Sequence, residues 1–82
     1  MNWTNDNCPV TNEPAKEALP RNGDNVEFVC PTCGRFRISG TAFEVIRTYP
    51  QEIRVAALEK AKERAAYGGA MPKIMYDDFS QL

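Results

Sequence analysis

The stretch Val26-Glu27-Phe28-Val29-Cys30-Pro31-Thr32-Cys33-Gly34-Arg35-Phe36-Arg37-Ile38 decides the fold. Apolar and charged residues alternate on both sides of a short reversal containing proline and glycine. That pattern predicts a β-hairpin with Val26, Phe28, Phe36 and Ile38 on one face. Alternation puts Arg35 and Arg37 on the other face, toward solvent. Gly34 suits the reversal because a tight turn favours positive φ. The two cysteines within it have the C-x2-C spacing that lets one loop offer two thiolates to a tetrahedral ion.

Upstream, Cys8-Pro9-Val10-Thr11 repeats this spacing with threonine in the second cysteine position, and 18 residues separate Thr11 from Cys30. Paired zinc knuckles are spaced by about 15–20 residues, so Cys8, Cys30 and Cys33 fill three ligand positions in register. Zinc is the expected cofactor. The residues leave three outcomes open, one being that Cys8 lies far from the hairpin and its spacing is accidental. Asp6, Glu13 or water could complete a zinc shell, or the three thiols could pack without metal as small apolar groups. The chain has no histidine. Catalytic zinc sites usually include one, and no nucleophile motif is present, so an enzyme is not expected.

The remaining sequence frames this hairpin. Residues 1–25 hold three of the six prolines and most of the asparagines without lasting periodicity, and read as loop, with a turn at Asn22-Gly23-Asp24. Thr41-Ala42-Phe43-Glu44 has capping-box spacing, so a short helix is expected from about Ala42. Thr48-Tyr49-Pro50-Gln51 offers a second box for a longer helix to about Tyr67. Ile53, Ala57, Ala61 and Ala65 there recur at i, i+4 with Leu58 beside them, a narrow stripe that faces the core. Gly68-Gly69 ends that helix, and Lys73-Ile74-Met75-Tyr76 could add a short strand. The expected class is α+β: a zinc-ribbon-like hairpin followed by one short and one longer helix. At 82 residues this is one domain, with a ribbon-like part at 8–38, a helical part at 42–67 and a tail at 70–82.

Net charge is −1, but residues 1–34 carry −3 and residues 35–64 carry +3. A dedicated nucleic-acid binder usually shows a stronger basic excess. No apolar run reaches bilayer length and no signal-peptide pattern opens the chain. Few cysteines and no secretory signal point to a reducing, cytoplasmic location without membrane association.

Cys30 to Ala42, reading CPTCGRFRISGTA, resembles the second knuckle of small bacterial zinc-ribbon domains. Cys8-Pro9-Val10-Thr11-Asn12-Glu13-Pro14-Ala15 resembles their first knuckle, with Thr11 and Asn12 where Cys and Gly are expected. The charged, alanine-rich helix and the apolar–acidic tail are similar to the segments that succeed such ribbons in proteins of bacteria and their phages. The resemblance implies a recognition module without catalysis. It points to a small regulatory or inhibitory protein acting on a partner protein's surface, with a phage or mobile-element inhibitor of host defence as one form. Arg35, Arg37, Tyr49, Tyr67 and Tyr76 are the expected partner-binding residues, with Trp3 and Met71 as further anchors, since aromatic and methionine side chains are enriched at interfaces. A nucleic-acid-binding ribbon is the alternative. Homodimerisation through the alanine stripe is a third reading.

Overall fold

The computed structural model describes residues 2–19, 23 and 25–79. Five strands form one mixed sheet, β1 (Asn2–Asn7), β2 (Pro14–Leu19), β3 (Asn25–Cys30), β4 (Gly34–Ser39) and β5 (Lys73–Ile74), in that spatial order. The first four make an antiparallel meander, and β5 returns to pair parallel with β4. Between β4 and β5 lie α1 (Gly40–Val45), a 3-10 turn over Ile46–Thr48, and α2 (Gln51–Gly68). The fold is α+β, as the hairpin and helix signals imply.

The β3–β4 hairpin has the expected register. Phe28 faces Phe36 across the ladder and Val26 faces Ile38, and all four are buried. The Phe28 and Phe36 rings stack with centroids 6.1 Å apart. Ala42, Ile46, Ala57, Leu58, Ala61, Ile74 and Phe79 close this core. Burying a side chain such as Phe or Ile is worth about 1.5–3 kcal/mol, so this layer is the main apolar driving force of the fold.

Three local expectations are corrected. Residues 1–25 contain two full strands: β1 pairs with β2 over six residues, from Asn2 opposite Leu19 to Asn7 opposite Pro14. Asparagine-rich β1 is exposed along its whole length and draws its conformation from the ladder, not from its own propensity. The first helix starts at Gly40, because Ser39 is its cap and accepts a hydrogen bond from the Ala42 amide. At α2 no side chain caps the N-terminus. Pro50 takes the cap position, and the Thr48 hydroxyl donates back to the Val45 carbonyl. Gly69 closes α2 at φ 69, as the glycine pair predicts. Of the expected turn at residues 22–24, Gly23 has φ 64, and Asn22 and Asp24 lie outside the described residues. Within α2, Ala57 and Ala61 of the stripe are buried in the chain's own core, and Ala65 is partly buried.

The strand register gives the sheet two unlike faces. The helices cover one. On the other, β1 contributes Trp3 and Asn5, β2 contributes Lys16, β3 contributes Glu27 and Val29, β4 contributes Arg35 and Arg37, and β5 contributes Lys73. No helix among the described residues is long and apolar enough to cross a membrane.

Candidate metal centre and the open sheet face

Two turns at one end of the sheet bring the cysteines together. The first, between β1 and β2, is folded by backbone bonds from the Cys8 amide to the Glu13 carbonyl (2.7 Å) and from the Asn12 amide to the Cys8 carbonyl (2.8 Å). Asn12 holds φ 67, a conformation that asparagine tolerates better than most residues. The second turn lies between β3 and β4, where Gly34 takes φ 77. Arg54 reaches from α2 to the first turn and donates to the Pro9 carbonyl (3.0 Å) and to Asn12 Oδ1 (3.3 Å).

The sulfurs of Cys8, Cys30 and Cys33 lie within 4.8 Å of one another, and all three residues are buried. No disulfide links them. The Cys8 and Cys33 sulfurs are 3.8 Å apart. Two thiolates bound to one tetrahedral zinc, with Zn–S near 2.3 Å, stand about 3.8 Å apart. Three buried cysteines in this arrangement could hold a metal ion. At the fourth corner, the Thr11 hydroxyl sits 3.7 Å from the Cys30 sulfur. The Glu13 carboxylate lies beside Cys30 but outside the group of three sulfurs. Its Oε1 is 3.6 Å from the Cys30 sulfur and accepts from Thr11 at 2.8 Å, while Oε2 accepts from Thr32 at 3.0 Å. Hydrogen bonds from Thr11 and Thr32 hold the Glu13 carboxyl below the usual range. Asp6, the other carboxylate near the first turn, instead accepts from the Asn7 amide.

The thiols differ in proton affinity. Burial raises the Cys30 value, but hydrogen bonds from the backbone of Cys33, the Thr11 hydroxyl and the backbone of Thr32 together outweigh it and draw that thiol below normal. Burial, reinforced by the neighbouring Cys8 sulfur, pushes the Cys33 thiol up.

The partner-binding candidates are dispersed. Arg35 and Arg37 lie on the open face, and both donate to the nearly buried Glu27 carboxylate. Arg35 also sits over the Trp3 ring, 5.6 Å from its centroid. Tyr49 is half-buried and stacks on Phe79 at 4.7 Å. Tyr67, at the end of α2, is 95% exposed, and Tyr76 is exposed beyond β5. Sequence reading missed Glu27 as the bridge between the two arginines and Arg54 as the tether of the first turn. For Glu27 the signal was present, since it alternates with Val26 and Phe28 and so shares a face with Arg35 and Arg37. For Arg54 there was none.

Comparison of the chain with known protein families, with curated protein sequences and with solved structures found no match.

Proposed function

We propose that this protein is a non-enzymatic binding module, a small regulatory or inhibitory protein that occupies an acidic surface of a partner protein through its open sheet face. Zinc is the proposed metal, held by Cys8, Cys30 and Cys33, with a structural role: it ties the β1–β2 turn to the β3–β4 turn.

The observation that carries the reading is the pairing of this face with a free edge. Among the described strand residues of this face, Lys16, Arg35, Arg37 and Lys73 are set against one acid, Glu27, on a chain whose net charge is −1. Trp3 and Val29 supply exposed apolar area among those charges. No strand among the described residues pairs with the outer edge of β1. Such an edge accepts an extended peptide by main-chain hydrogen bonding, with side-chain pockets giving specificity. Beside it, Asn5, Pro14, Lys16, Val29 and Pro31 line a shallow depression. Nucleic acid is the weaker reading because the chain's net charge is −1, whereas a dedicated nucleic-acid binder usually carries a strong basic excess.

The test joins capture from cell extract, followed by rebinding of purified partner, to titration with random single-stranded and duplex DNA at physiological salt. The variants are Trp3→Ala and the triple change Glu27→Gln, Arg35→Gln and Arg37→Gln, which removes the charges without orphaning one of them. Loss of purified-partner binding in both variants supports the proposal. DNA binding at about micromolar strength or tighter, abolished in the triple variant, overturns it.

A further inference from the structure

We infer that the Glu13 carboxylate is the fourth ligand of the metal centre, making it a three-thiolate, one-carboxylate site for a zinc-class divalent cation. The inference rests on the metal-binding reading above and goes further, assigning the corner that Thr11 leaves without a thiol.

Geometry is the first argument. With Zn–S near 2.3 Å and Zn–O near 2.0 Å, a thiolate and a carboxylate oxygen on one tetrahedral ion stand about 3.5 Å apart. The Cys30 sulfur and Glu13 Oε1 are 3.6 Å apart, and the Cys8 and Cys33 sulfurs are 3.8 Å apart. Both lengths are those a bound ion would set, but the Glu13 carboxylate lies outside the group of three sulfurs within 4.8 Å of one another, so it would swing from Cys30 toward Cys8 and Cys33 to ligate. The second argument is charge. A carboxylate with three thiolates gives the ion the same four negative charges as four cysteines, whereas the neutral Thr11 hydroxyl gives three. The third is orientation. Oε1 is fixed by Thr11 and Oε2 by Thr32, so each knuckle supplies one hydroxyl that points the same carboxylate at the cluster. Outer hydrogen bonds of this kind orient ligating groups in metal sites. Thr11 therefore acts as a positioning residue, standing where a thiol would be and handing the ligand role to a residue two places on.

The experiment titrates the full chain, stripped of metal, with Co2+ followed by Zn2+ competition, and reads affinity and the visible Co2+ spectrum. Glu13→Gln should weaken binding of both ions by about tenfold or more and shift the Co2+ bands, since loss even of outer-shell partners costs about 10–100-fold. Thr11→Cys should bind more tightly with a four-thiolate spectrum, and in that background Glu13→Gln should be silent. An unchanged affinity and spectrum for Glu13→Gln in the natural background overturns the inference and leaves the metal reading standing. An equal loss in both backgrounds overturns it as well, because Glu13 would then only support the turn. A chain that binds neither ion defeats this inference and the metal reading together.

Discussion

Asp78 fastens the C-terminal segment to α2 with both carboxylate oxygens. Arg64 donates to Oδ1 at 2.9 Å and to Oδ2 at 2.8 Å, and the Met75 amide donates to Oδ2 at 2.8 Å. Burial alone would raise the Asp78 carboxyl, but these partners hold it below its usual value. A carboxyl depressed in the folded state contributes stability above its unfolded value of about 4, and that contribution is lost as pH falls through the folded value. Asp78→Asn should therefore lower the melting temperature at pH 7 and flatten its decline below about pH 4, as thermal melts across that range would show. Arg54 works at the same scale on the other end of α2. Its guanidinium is buried, and its Nε has no partner among the described residues. Arg54→Ala should destabilise the fold by about 1–3 kcal/mol by leaving the Pro9 carbonyl and Asn12 without their donor, measurable as a lower urea midpoint. The cysteines were legible because metal spacing is written in register. Arg54 was not, since its contacts reach from α2 back to the first turn and no local pattern encodes them.

The β3–β4 hairpin could be read in advance because it carries an alternating apolar pattern that its burial enforces, and α2 because the short stripe of Ala57, Leu58 and Ala61 faces the core and a glycine pair ends it. β1 and β2 could not. β1 has no inward apolar residue to mark its phase, and β2 buries Glu17 while exposing Pro14 and Lys16, which inverts the usual signal. What makes them strands is long-range pairing, which a local window does not contain. The hairpin also carries a prediction that alternation alone would get wrong. Arg35 and Arg37 face solvent, yet Arg35→Ala with Arg37→Ala should cost about 1–3 kcal/mol, because the Glu27 carboxylate is nearly buried and would lose both cations. Adding Glu27→Gln should recover part of that loss in the same denaturation experiment.

For the molecule as a whole, the proposed metal would add to an apolar core that reaches into the cysteine corner. The layer of Phe28, Phe36, Ile38, Ile46 and Ile74 is fully buried and continuous with Cys8, Cys30 and Cys33, but none of its own side chains would ligate a metal. Chelation should therefore loosen the knuckle end and leave a cooperative transition. At a metal concentration about 100 times Kd, binding adds about 2.7 kcal/mol. For a domain of this size that corresponds to a drop of roughly 10–20 °C on adding EDTA, and Cys33→Ser should match it and become insensitive to chelator. A melting curve unmoved by both would mean that packing holds the corner without metal.

The late position of β5 bears on how the chain is made. Ile74 and Phe79 complete a core that Phe28, Phe36 and Ile38 begin. On a ribosome, the hairpin emerges before the helices and waits for the 41 residues from Ile38 to Phe79, roughly 2–8 s at about 5–20 residues per second. Its apolar face is uncovered throughout that interval, which invites chaperone holding or premature association. Cys8, Glu13, Cys30 and Cys33 have all been released by then, so an ion captured at the knuckles would pin the nascent hairpin in register before its helices arrive.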